Sequence, residues 1–341
     1  MEIRPFQSKD RRSWDNYVWN HPHGSPFHLI AWKNSIEETF GFPSHYLAAW
    51  EGKEIRGLLP LSAVRNFLMG KVLLSAPFAV YGGILADTDQ VRQAIFAHVK
   101  ALAESTEVNY VELRNAYPEQ CVGLPKTSRH VTFTHPVGQG PEAIMNAAAP
   151  SVRNKIRKAL RHPYASRQTS DITAFEELYA KNLRRLGTPV LPRSHFSVLM
   201  RNFHEIASIR EVTLEGKVVA ASFNFCFRDQ VHTFYAAADP ELLAKAPNNF
   251  LYFDNMRWAG ENGFAIFDFG RSKKTSGQFE FKRHWGTTMR ELPYEILLVK
   301  DKELPNFSPN NPKFDMPIKL WQRLPLGLTR ALGPSLSRLF P

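Results

Sequence analysis

The sequence predicts an α/β (α+β) fold built from two tandem copies of one unit. Three observations carry this. Strand-type and helix-type patterns alternate through the first 300 residues, the same order of patterns occurs twice, and each copy holds the same turn, Glu-Gly-Lys, at 51–53 and 215–217. Alternating β and α signals mark packed α/β layers, and a repeated order marks internal duplication.

The elements follow in chain order. His45–Trp50 reads as a strand, followed by the first Glu-Gly-Lys turn and a second strand around Ile55–Val64. Lys71–Ala76 is a third strand, and Tyr81-Gly82-Gly83 marks a loop. Thr88–Ser105 has helical spacing in Val91, Ile95, Val99 and Leu102, after the cap candidates Asp87 and Thr88. Asn109–Arg114 alternates as a strand. Pro141–His162 is helical in its second part, and Asp171–Gly187 and Ser194–Ile206 read as helices. The second copy then runs Ile209–Leu214, turn, Val218–Arg228, Val231–Ala238, a helix over Asn248–Asn262 and a strand at Phe264–Phe269. Each copy ends near an arginine, Arg114 or Arg271. A Pro/Asn-rich linker and an amphipathic basic tail close the chain.

Composition excludes several classes. The 341 residues are 43% hydrophobic, enough for packed cores. Two cysteines, Cys121 and Cys226, make no disulfide framework, and no Cys/His cluster predicts zinc. Metal ligation by His21, His23 and His28 is disfavoured because Pro22 and Pro26 break the spacing. No apolar core follows the N-terminal residues, so no signal peptide is predicted, and no run reaches bilayer-spanning length. The net charge of +11 is unevenly placed. Residues 1–150 sum to zero, residues 151–210 hold 12 basic and 4 acidic side chains, residues 271–290 sum to +5 and residues 315–341 to +3. A phosphate-bearing partner fits that distribution.

Three constellations stand out. In Ser151–Arg161, Val152, Ile156 and Leu160 form an apolar seam, Ser151 is a candidate N-cap, and Arg153, Arg157 and Arg161, with Lys155 and Lys158 beside them, offer a phosphate-binding face. The same run also fits a solvated charged face. In Asp268-Phe-Gly-Arg-Ser272, a strand enters a Gly-Arg-Ser turn, then a flexible basic loop and an aromatic-rich strand with Phe281, Lys282 and Trp285. Lys282 would serve there as a partly desolvated fixed charge; a basic hairpin with core aromatics is the plainer reading. Ser75–Gly83, with Tyr81, Gly82 and Gly83, is either a substrate-facing loop or a buried strand and turn. Phosphate-loop, dinucleotide, serine-hydrolase and zincin motifs are absent.

The segment SVRNKIRKALR, then FDFGRS and FEFKRHWG, resembles the FemAB/FemX-like acyltransferases of the GNAT superfamily, annotated in some members as BioF2-like acetyltransferases. The likeness is greatest to the branch encoded with exosortase (PEP-CTERM) exopolysaccharide loci, and it spans roughly residues 1–300. It implies two tandem GNAT-like domains, each a mixed twisted sheet flanked by helices: 1–140 and 141–300, then a linker at 301–316 and the tail at 317–341. It implies transfer of an aminoacyl or acetyl group to an amine or hydroxyl of a phosphate-bearing cell-envelope or exopolysaccharide precursor, small or lipid-linked. No permanent cofactor is implied; the donor is aminoacyl-tRNA or acyl-CoA, with tRNA a partner in the first case. Lys282 with Phe281, Arg271 with Ser272, and Asn154, Lys155, Arg157 and Lys158 match family motif positions. Leu243–Asn249 lacks the glycines of an acetyl-CoA pyrophosphate turn. Arg271 or Lys282 would stabilise the oxyanion, and Asp268, Glu280 and Tyr235 are candidates for the base. The rival is a non-catalytic GNAT-like module on polyanionic glycan or membrane surface. The tail either packs on the first domain or touches a bilayer, which would place a cytoplasmic protein at the inner face of the membrane.

Overall fold

The computed structural model describes residues 1–127, 129–304 and 315–341. The chain divides into two compact units. The first holds Met1–His130, a return segment that starts at Glu291, and Arg338–Pro341. The second holds Val131–Arg290 and the C-terminal helices as far as Ser337.

In the first unit, strands Leu47–Glu51 and Glu54–Leu59 pair antiparallel about the Glu-Gly-Lys turn. The single strand expected over 55–64 is two, Glu54–Leu59 and Leu61–Asn66, in different sheets. Pro60 separates them, because proline cannot donate to a ladder; its carbonyl accepts from Ala76 N–H at 2.8 Å. Strand Gly70–Ser75 follows, then helix Asp89–Ser105, whose N-cap Thr88 accepts from Val91 N–H. The helix buries Val91, Ile95, Val99 and Ala103 on the sheet. It returns the chain to strand Tyr110–Leu113, parallel to Gly70–Ser75.

The second unit repeats this order in one seven-stranded sheet. Strands Ala207–Leu214, Lys217–Phe227 and Gln230–Ala238 pair antiparallel. Helix Pro247–Glu261 crosses over, and Ile266–Lys273 joins parallel to Gln230–Ala238. The expected duplication is thus present: hairpin, strand, crossover helix, parallel strand in each unit. Here the second strand is unbroken for 11 residues, having no counterpart of Pro60.

The units are cut from the chain differently from the expected 1–140 and 141–300. Strand His130–Pro136 lies in the seven-stranded sheet between Ile266–Lys273 and Thr288–Glu291. Strand Tyr294–Leu298 returns to the first unit, pairing antiparallel with Tyr110–Leu113 and Lys126–Thr127. A buried carboxylate anchors it: Glu295 accepts from the N–H groups of Val122, Gly123 and Leu124 and from Asn115 Nδ2.

The expected linker, 301–316, falls largely outside the described residues. The tail forms helices Asp315–Arg323 and Leu326–Ser337, which pack on helix Thr173–Leu186 of the second unit, whereas its last residues, Arg338–Pro341, belong to the first unit. Trp321 Nε1 donates to Thr188 O at 3.1 Å and Arg330 pairs with Glu176 at 3.1 Å. Among the described residues no helix is long and apolar enough to cross a membrane. Cys121 and Cys226 are free thiols.

Candidate active site

The parallel pair in the second unit opens where the chemistry-bearing residues lie. Its register runs from Gln230↔Ile266 to His232↔Asp268, and both strands continue, to Ala238 and Lys273. Gly270 sits just past this point at φ +71°, a left-handed conformation that glycine adopts without strain. The expected Gly-Arg-Ser turn is therefore a bend inside a strand that runs on through Lys273.

Asp268 is buried and accepts three hydrogen bonds. Its donors are Thr132 Oγ1 at 3.1 Å, Gly270 N–H at 2.7 Å and His232 Nδ1 at 3.0 Å. Because the carboxylate only accepts, the His232 proton lies on Nδ1. His232 was missed by the sequence reading. Its one signal is register: it stands opposite Asp268 on the strand before the crossover.

Phe279–Gly286, expected as a strand, is instead the helix Gly277–Arg283 and the turn after it. Ser276 caps the helix, its Oγ accepting from Phe279 N–H at 3.2 Å. Alternating aromatics favour a strand, but here Phe281 in the helix and Trp285 in the turn after it both pack against Tyr252. Trp285 is completely buried beside Phe269. A different constraint falls on Lys282, whose Nζ donates to the carbonyls of Gly270 at 3.0 Å and Arg271 at 3.1 Å. Burial lowers the Lys282 pKa to about 7; nearby Asp268 opposes this shift and Arg271 adds to it. Burial thus pulls Lys282 toward its neutral amine. Ser272, next to Arg271 in sequence, is buried, its Oγ without a hydrogen-bond partner among the described residues.

Tyr235, further along Gln230–Ala238, has its hydroxyl 3.0 Å from His195 Nε2. Burial raises the Tyr235 pKa well above the usual phenol value, with Arg271 pulling the other way. Burial holds His195 neutral, with a pKa of about 3. Arg271 therefore acts electrostatically on both Lys282 and Tyr235, and these three with Asp268 and His232 form one neighbourhood.

The basic helix spans Pro150–Ala159. Its N-cap is Ala149 with Pro150 in the first turn, not Ser151: proline fixes the helical φ there and needs no donor. Val152, Ile156 and Ala159 are buried, whereas Leu160, expected in the seam, closes the helix and is exposed. Asn154, Lys155, Arg157, Lys158 and Arg161 face solvent, and Arg153 donates to Asn146 O. The segment before this helix meets the end of the Lys282 helix, where Ala149 N–H donates to His284 O at 2.8 Å. Gly286 makes that junction possible: at φ +69°, a Cβ would lie 2.3 Å from Ala147 O. Gly286→Ala is expected to destabilise the second unit by about 2–4 kcal/mol. Urea unfolding followed by the near-UV signal of Trp285 checks this; an unchanged midpoint would refute it.

Tyr81, Gly82 and Gly83 lie in the first unit and are packed there. A Cβ on Gly83 would fall 2.4 Å from Asn115 Oδ1, and Gly83 O lies 3.0 Å from His28 Nε2. That is the buried-turn alternative. The neighbouring His21 and His23 border a cleft of about 430 Å³ in the first unit, lined also by Asp87, Arg92 and Glu119. Among the described residues no three His, Cys, Asp or Glu side chains converge as metal ligands.

Residues 149–283 match the family model described as an acetyltransferase (GNAT) domain. Similar solved structures extend the likeness over both units. FemX superposes with a TM-score of 0.70 at 15% identity, covering 88% of this chain and 98% of its own. A tandem GNAT protein of the clavulanic acid biosynthesis pathway superposes with a TM-score of 0.55 at 10% identity, covering 89% and 99%. L-PGS from Bacillus licheniformis gives a TM-score of 0.54 at 13% identity, covering 89% and 98%. No curated protein sequence matches significantly. The chain has the tandem GNAT fold. It is FemX-like in that fold, and the fold with the family match supports acyl transfer as the class of reaction. The likeness to the exosortase-linked branch gains no support from these matches.

Proposed function

We propose that the second unit catalyses transfer of an aminoacyl or acetyl group to an amine or hydroxyl of a phosphate-bearing cell-envelope or exopolysaccharide precursor. The observation that carries this reading is Lys282, buried at the opening of the parallel strands with its pKa near 7. The attacking N–H or O–H must lose a proton as the new bond to the acyl carbon forms. A lysine poised near neutrality, as its amine, can accept it. The bond to the donor's oxygen or sulfur then breaks, and the ammonium formed on Lys282 returns that proton to the leaving atom. Arg271 stabilises the intermediate oxyanion, and Tyr235, kept protonated by burial, can donate to it. Asp268, occupied by three donors, acts as a positioning residue that sets the Gly270 bend.

Arg153, Asn154, Lys155, Arg157, Lys158 and Arg161 are proposed to hold phosphates of donor or acceptor, with Phe281, Ser272 and Trp285 shaping the acyl end. The donor is aminoacyl-tRNA or acyl-CoA. The Leu243–Asn249 segment favours the former: Ala246, not glycine, takes the left-handed position at φ 57° before helix Pro247–Glu261. The test supplies radiolabelled acetyl-CoA or a charged-tRNA pool with nucleotide-linked and lipid-linked amino-sugar acceptors. Labelled product from either donor supports the reading. Arg157→Gln/Lys158→Gln is expected to raise acceptor or donor KM about tenfold with kcat retained, and to flatten its salt dependence. Absence of product from both donors, with retained binding to an anionic glycan, would instead favour a non-catalytic GNAT-like module.

A further inference from the structure

The two C-terminal helices bury Trp321 and pack Ile318 and Leu326 inward, yet leave a second set of large apolar side chains exposed. In Leu326–Ser337 the buried positions are Thr329, Gly333 and Ser337, whereas Leu328 and Leu332 are 44% and 46% exposed. The small face is needed inside: a Cβ on Gly333 would lie 2.7 Å from Val190 N and O, so the helix backbone sits directly on the 187–190 segment. The large face is left outside. In Asp315–Arg323, Trp321 is buried and Gln322 donates to Arg185 O, while Leu320 is 62% exposed. Met316, Lys319, Leu320 and Arg323 follow i, i+3, i+4, i+7 spacing and are all exposed. Lys319 and Arg323 have no carboxylate partner among the described residues, and no Asp or Glu occurs from Met316 to Pro341.

We propose that this surface docks on an anionic lipid bilayer. Exposed leucines and methionine need an apolar environment, which a soluble polyanion does not provide. Unpaired cations beside them, with no acidic residue along the segment, need a negative one. An anionic bilayer interface offers both within one helix diameter, with lysine and arginine stems reaching to the headgroups. The surface is independent of the acyl-transfer residues, so its failure would leave the reaction reading untouched.

The test is flotation of the full chain with phosphatidylcholine vesicles, with and without phosphatidylglycerol. The wild type is expected to float with the anionic vesicles only, and less so in high salt. Leu320→Gln/Leu328→Gln/Leu332→Gln is expected to stay at the bottom of the gradient. Lys319→Gln/Arg323→Gln is expected to bind about 25-fold more weakly, at about fivefold per charge. Both variants change exposed side chains and should keep the wild-type melting curve. A wild type that does not float, or a leucine variant that floats like it, overturns the proposal. So does a wild-type dimer that the leucine variant turns into monomer, which would assign the face to a second copy. Retention on heparin without flotation would assign the charge to a soluble polyanion and overturn it as well.

Discussion

Lys282→Met is expected to lower acyl transfer by about a hundredfold or more while leaving a folded protein. It should also remove a specific pH dependence of stability. In the folded chain Lys282 releases its proton near pH 7, because burial disfavours the ammonium. The unfolded chain holds that proton up to the ordinary lysine range. Between the two, the unfolded state binds more protons, so stability rises with pH by about 1.4 kcal/mol per unit. From pH 7 to pH 9 the wild type should gain about 2–3 kcal/mol relative to Lys282→Met. Urea unfolding of both proteins at the two pH values measures this. Parallel curves would show that Lys282 is not desolvated, and normal turnover of the variant would remove it from the reaction.

Glu295→Ala is expected to be the most damaging single change in the first unit, at about 3–5 kcal/mol. The side chain is completely buried, and its two oxygens accept four hydrogen bonds. Its removal leaves Val122, Gly123 and Leu124 N–H groups and Asn115 Nδ2 without their acceptor. The loosened elements would be the loop over 121–124 and strand Tyr294–Leu298, which lies between Tyr110–Leu113 and Lys126–Thr127 in its sheet. Glu295→Gln, which keeps one accepting oxygen, should lose less than Glu295→Ala. Hydrogen exchange at Val122, Gly123 and Leu124 reads the effect locally; unchanged protection in Glu295→Ala would contradict it.

Much of the candidate site was legible because it lies in short segments with unusual composition. Asp268, Arg271 and Ser272 fall within five residues of strand, and Lys282 stands between aromatics in the next element. The apolar positions Val152 and Ile156 gave the buried face of the basic helix from spacing alone. His232 was illegible because its partner is 36 residues away, and only parallel pairing brings the two together. The Lys282 helix was misread because aromatic residues favour strands when no packing decides. Here the Ser276 cap and the packing of Phe281 and Trp285 against Tyr252 select the helix. Of the two readings of Tyr81–Gly83, the buried turn is the one the packing fits, because Gly83 makes room for Asn115.

The sequence alone determined the repeated order of elements, the crossover helices and the three basic blocks. These rest on local periodicity and on counting charges. The tertiary structure decided where each unit ends, since Tyr294–Leu298 belongs with strands nearly two hundred residues earlier in the chain. It decided that Lys282 is buried against two backbone carbonyls, where burial lowers its pKa. It also decided that the two tail helices lie on the second unit with Leu320, Leu328 and Leu332 outward. Each depends on contacts between residues remote in sequence, and burial, pairing and desolvation come into being only when those contacts form.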